Sequence, residues 1–180
     1  MIFIFQELID VVLMTLVVGF IFMDVFKQRQ YNYGFNWEDL KFSCMVTGPA
    51  IILHELMHKL VAVYFGLNAT FHAAYTWLFF GVILKLLGGF IFFVPGYVSM
   101  SGFVLPYQKF LIAFAGPGTN LVLYLVSSYV LKNKIITNQK YYTALHLTKY
   151  INGFLFILNM IPLPFFDGGQ ALNALLQIIL

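Results

Sequence analysis

His54, Glu55 and His58 form an H-E-L-M-H segment inside a stretch of apolar residues, with Lys59 as its only charged neighbour. Side chains four positions apart lie on one face of a helix, so two imidazoles at this spacing can reach one metal ion. Glu55 stands one step round from His54, close enough to take a proton from a water activated at that ion. Charge and polarity are expensive at membrane depth, and three polar groups in such a place have no cheap structural role. The pattern points to metal-assisted hydrolysis carried out within a bilayer.

The elements that must position these groups are helices in lipid. The chain has 180 residues, 61% hydrophobic and 9% charged, where soluble domains are about half apolar and a quarter charged. The expected fold class is therefore a membrane all-α protein, a polytopic bundle of four to six membrane segments with a small membrane-associated strand or hairpin element. A net charge of +3 gives no basic surface of the kind nucleic acid requires. A single cysteine, Cys44, forms no intramolecular disulfide. The first apolar stretch lacks a basic leader and a small-residue cleavage site, so it is expected to be retained.

Along the chain, Ile2–Phe26 reads as a first span that carries Glu7, Asp10 and Asp24, with Asp10 facing protein or headgroups. Lys27–Lys41 reads as an interfacial connection, and Phe42–Gly66 as the second span, with Pro49 in its first turn or at a kink. Trp77–Val94 is apolar apart from Lys85 and a glycine pair, and reads as a short or re-entrant helix, with a true span as the alternative. Phe90–Met100, broken by Pro95-Gly96, reads as strand and turn. Phe110–Leu131 is an uncharged span, Lys132–Lys149 a polar loop, Tyr150–Ile161 a helix ended by Pro162 and Pro164, and Phe165–Leu180 closes with an apolar helix. The expected division is 1–41 as an N-terminal helix with its connection and 42–180 as the catalytic core.

Catalytic zinc takes three protein ligands and leaves one position open. Among the few remaining acids and histidines, Asp167 stands out: it follows a proline-broken helix and precedes two glycines that permit close backbone approach. The competing reading of Asp167 is a helix N-cap. His72 and His146 read as surface or interfacial histidines, Lys59 as a snorkelling side chain, and Gly116 and Gly118 as sites of close helix contact.

Three motifs carry a resemblance to a known family: His54-Glu55-x-x-His58, Ala115-Gly116-Pro117-Gly118-Thr119-Asn120, and Asn159-x-x-Pro162-x-x-x-x-Asp167-Gly168. Over residues 42–180 the chain resembles the site-2 protease family of intramembrane zinc metalloproteases. The resemblance implies zinc held by His54, His58 and Asp167, with Glu55 as general base. Asn120 falls where that family's middle-helix asparagine approaches the active site, and is expected to donate to the oxyanion. Asn159 and Pro162 match the segment that helps seat substrate, whereas Asn152, on the same helix face, reads as packing glue.

Implied partners are the lipid bilayer and a transmembrane protein substrate cut within or near its helix, as in regulated intramembrane proteolysis; a homo-oligomer is left open. The implied location is a multi-pass position in the cell membrane. The chain lacks the PDZ insertion and the nucleotide-sensing domain found in other members, so a minimal member is expected. The rival classes are a non-catalytic relative that binds membrane helices and a zinc carrier. An intact Glu55 weighs against the first, and a single ligand cluster against the second.

Overall fold

The structure, a computed structural model, describes residues 4–26, 35–88 and 95–180. Among them it forms six helices and one two-stranded antiparallel sheet, in the order α1 (Phe5–Phe22), α2 (Trp37–Tyr64), β1 (Asn68–Ala73), α3 (Tyr75–Leu86), β2 (Gly96–Ser101), α4 (Pro106–Lys132), α5 (Gln139–Asn159) and α6 (Asp167–Ile179). Helices α1, α2 and α4 are long and apolar enough to cross a membrane. The mostly helical architecture with a small strand element follows the expectation from composition.

Helix α1 inverts the pattern of a soluble helix. Its buried stripe at helical spacing is Glu7, Asp10, Met14, Val18 and Ile21, while Leu8, Ile9, Val12, Leu13 and Leu16 are exposed. In lipid the apolar face needs no cover, so the polar groups turn inward. Asp10 accordingly faces protein. Close packing of α1 on α2 depends on Gly19, which lies against Cys44, and on Gly48, which lies against Thr15. Small residues let helix backbones approach where lipid supplies no hydrophobic drive.

Helix α2 begins five residues earlier than the apolar pattern suggests. Asn36 caps it by accepting from the Glu38 amide at 2.8 Å, and Glu38 and Asp39 occupy the first turn, where acids favour the helix dipole. Pro49 therefore lies inside the helix, not in its first turn. The helix stops at Gly66, whose φ of +81° suits glycine.

The strands pair from Asn68 opposite Ser101 to Ala73 opposite Gly96. The strand expected within Phe90–Met100 is thus β2, and its partner β1 follows α2; residues 90–94 lie outside the described ones. Helix α3 has 12 residues, about 18 Å at ~1.5 Å per residue, against a hydrocarbon layer of about 30 Å. It is the short helix of the two readings, although 89–94 of the Trp77–Val94 stretch are not described. Most of the Lys27–Lys41 connection, 27–34, is likewise outside the described residues.

Helix α5 corrects the expectation of a loop over Lys132–Lys149. Asn138 caps it by accepting from the Lys140 amide at 3.0 Å, and the helix runs through the lysines to Asn159. Polar residues hid its first turns because their solvated face lacks an apolar stripe.

Lys59 also departs from expectation. It does not snorkel; it is 2% exposed and forms an ion pair with Glu7 of α1. An ion pair with both ends buried survives only where further hydrogen bonds satisfy the remaining atoms. Glu7 meets that condition by accepting from the amide of Phe71 at 2.6 Å and from the amide of Ile4 at 2.8 Å. Lys59→Met leaves the Glu7 carboxylate buried without its cation, and the expected loss is about 3–5 kcal/mol, read as a lowered unfolding midpoint in detergent. An unchanged midpoint would show that the pair adds nothing to stability.

Candidate metal centre

Helix α2 places His54 and His58 on one face, and the start of α6 brings Asp167 to them. The turn before α6 achieves this through close backbone approach: a Cβ on Gly168 would stand 2.7 Å from Met160 Cα. Phe166, not Asp167, occupies the N-cap position, and Asp167 lies in the first turn of α6. The carboxylate is thereby available to the histidines. Asp167 Oδ2 lies 3.1 Å from His54 Nε2 and 3.3 Å from His58 Nε2. The two Nε2 atoms are 3.1 Å apart.

The protonation pattern of the imidazoles follows from their other nitrogens. His58 Nδ1 lies 2.7 Å from the carbonyl of Ile112, which can only accept, so Nδ1 carries the hydrogen. His54 Nδ1 lies 2.5 Å from Asn120 Oδ1. The orientation of that amide is fixed by its nitrogen, which donates to the Ala50 carbonyl at 3.1 Å and to Asn152 Oδ1 at 2.8 Å. When both imidazoles are neutral, their Nε2 lone pairs point inward, toward an Asp167 oxygen that also offers a lone pair. In that state three acceptors converge with no hydrogen between them. A cation resolves that arrangement.

The donor set fits zinc. Bonds of about 2.1 Å in a tetrahedral array put ligand atoms roughly 3.4 Å apart, close to the separations above, and two histidines with one carboxylate form a catalytic set that leaves a position open. His54, His58 and Asp167 are the group of potential metal ligands found among the described residues. Gly116 supplies a second fit. Its Cα faces the ligand nitrogens so closely that a Cβ would stand 2.7 Å from His54 Nε2 and closer still to His58 Nε2. The space is kept clear by the absence of a side chain.

Glu55 is buried and lines a cleft of about 190 Å³ together with the three ligands, Asn159 and the strand residues Gly96 to Val98 and Met100. Asn120 is not on that cleft. It is 0% exposed and lies behind His54. Both of its amide hydrogens are engaged by Ala50 and Asn152, so none remains for an oxyanion. The expected oxyanion donor is a positioning residue that holds the His54 ring. Asn152 extends the same chain by donating to the Thr148 carbonyl at 2.8 Å, in line with its reading as glue between helices. Pro162 is exposed in the turn between α5 and α6 and is not among the residues that line the cleft. His72 contacts Ser99 across the sheet, and His146 stacks on Tyr142 and meets Tyr150 edge-on; neither joins the ligands. The role of Gly116 was missed, since a glycine in an apolar helix reads equally as a helix contact.

Fold and site define a helical protein with a three-ligand metal centre set into an apolar helix. Compared with known proteins, the chain is 35% identical over 174 residues, 93% of its length, to a protein of Methanocaldococcus jannaschii named "Putative zinc metalloprotease", of which it covers 84%. The chain belongs to the family of that archaeal protein. No protein-family model matches it, and no solved structure does.

Gly116→Ala is expected to abolish stoichiometric zinc binding, because its methyl occupies the position between the imidazoles. Gly118→Ala meets the Phe114 ring at 3.3 Å and should retain the metal. Metal analysis of the purified variants decides it: equal zinc in both would mean that Gly116 does not keep the centre open.

Proposed function

We propose that the chain is an intramembrane zinc metalloprotease of the site-2 protease type, which hydrolyses a peptide bond within or near the transmembrane helix of a membrane-anchored protein. One observation carries this reading: three convergent ligand atoms with an adjacent carboxylate, two of the ligands and that carboxylate lying within an apolar helix long enough to cross a membrane. The zinc in the relative's name agrees with the donor chemistry. The proposed setting is a multi-pass position in the cell membrane, with lipid around α1, α2 and α4.

Zinc bound there would polarise the scissile carbonyl and bring the pKa of a water down toward about 7. Glu55, beside the ligands, is placed where it would take the proton of an attacking water and return one to the departing amine. Asn120 and the Ile112 carbonyl hold the two Nδ1 hydrogens, which fixes the rings and raises their basicity. Asn159 reaches the cleft from the end of α5 and is suited to hydrogen-bond substrate backbone.

The substrate must arrive unwound. A helix is about 10–12 Å across with its side chains, too wide for a cleft of about 190 Å³. Strand β2 offers a template for an extended segment. In antiparallel pairing, residues alternate between facing the partner strand and facing away. Phe71 and Ala73 turn their amides away from β2. Their partners Val98 and Gly96, and Met100 by the same alternation, therefore turn their backbone groups away from β1. All three line the cleft.

Cleavage of an anchored helix in detergent tests the reading. Glu55→Gln should slow turnover by at least about 10²-fold with zinc retained, and chelation should abolish activity until zinc is returned. A Gln variant as fast as wild type would remove Glu55 as the base. Met100→Pro deletes an outward amide without touching the ladder, and should raise KM by about tenfold, the scale of one lost hydrogen bond. An unaltered KM would take the β2 edge out of the substrate path.

A further inference from the structure

Two buried acids of α1 play no part in the reaction. Glu7 and Asp10 lie one turn apart on the inward face of α1, at a depth where a carboxylate is costly unless it has partners. Both are directed at the same object, the edge of β1 that β2 does not occupy. Glu7 accepts from the Phe71 amide at 2.6 Å, and Asp10 accepts from the Ala73 amide at 3.2 Å. These are alternate residues, the amides that an added strand would otherwise engage. Helix positions three apart advance about 4.5 Å and strand positions two apart about 6.8 Å, and the longer Glu arm helps to bridge the difference.

The other partners of the two acids secure the clamp. Lys59, next to the ligand His58 in α2, forms an ion pair with Glu7. Gln6 donates to Asp10 at 3.1 Å, and the Tyr75 hydroxyl at the start of α3 donates to Asp10 as well. The sheet is thus tied at its outer edge to α1, α2 and α3.

We propose that Glu7 and Asp10 are positioning residues for substrate: they occupy the β1 edge in place of a strand, leave β2 as the edge that no further strand pairs with among the described residues, and hold that edge beside the metal cleft. This rests on the protease reading for its effect on substrate. The clamp itself is independent of that reading. Both carboxylates act through the sheet and neither touches the reacting atoms.

The test uses the full chain in detergent with Asp10→Leu and Asp10→Asn, followed by amide hydrogen exchange over 68–73 and 96–101, zinc content, and cleavage of an anchored helix. Asp10→Leu should speed exchange in both strands and raise KM by about tenfold, the scale of a hydrogen bond to a charged group, while zinc content stays at the wild-type value and kcat moves by less than about twofold. Asp10→Asn, which retains one acceptor oxygen, should lie between wild type and the Leu variant. Unchanged exchange in Asp10→Leu would overturn the clamp, as would an Asn variant no better than Leu. Altered exchange with an unaltered KM would overturn its role in substrate positioning. If wild type itself cuts no anchored helix, the protease reading fails, and the exchange and zinc measurements still decide the clamp.

Discussion

Two imidazole nitrogens and a carboxylate oxygen are held within hydrogen-bond distance of one another, and the rest of the fold is arranged around that constraint. With both imidazoles neutral such a cluster is repulsive without a cation, so each member must be fixed from behind. The Ile112 carbonyl of α4 fixes His58, Asn120 of α4 fixes His54, and the glycine-rich start of α6 fixes Asp167. Asn120 is in turn held by α2 and α5 through Ala50 and Asn152. Four helices therefore meet behind one ion site. Second-layer contacts of this kind set ring orientation and ligand basicity, and they explain why an asparagine is buried where lipid would exclude it.

Helix α2 carries a second polar layer on another face. His58 and Lys59 are adjacent, and adjacent residues on a helix diverge by about 100°. One points to the metal ligands and the other to Glu7. The ion pair and the metal centre thus share a single turn of helix at similar depth. The pair anchors α1 to α2, and through the Phe71 amide it anchors α1 to the sheet. Polar groups that would be liabilities singly become tolerable when each satisfies the next.

Much of this was legible in the sequence, and the rest was hidden for physical reasons. The spacing of His54 and His58 and the apolar run around them announced a ligand pair at depth. The long uninterrupted stretches announced α1, α2 and α4. Asp167 was legible as a rare acid after broken helix. The contact that engages Lys59 was not legible, because its partner Glu7 lies 52 residues away in sequence and nothing local distinguishes an inward lysine from a snorkelling one. Asn120 was found but its direction was not. An amide offers both donors and an acceptor, and only the positions of Ala50 and Asn152 decide which end faces the histidine. The first half of α5 was read as loop, since helical caps such as Asn138 signal weakly when the following turns are polar.

The sheet bears on which reaction class the centre serves. A path for ions through the bilayer calls for successive ligands and has no use for a strand edge. Here strand residues share the cleft with the ligands: Gly96, Val98 and Met100 line it together with Glu55 and Asp167. Unpaired strand edges are hazards that proteins usually cover, and this chain covers the β1 edge with two carboxylates. The β2 edge borders the ion site instead. A template for extended polypeptide next to a cation and a carboxylate suits cleavage of a peptide bond better than transport of the ion.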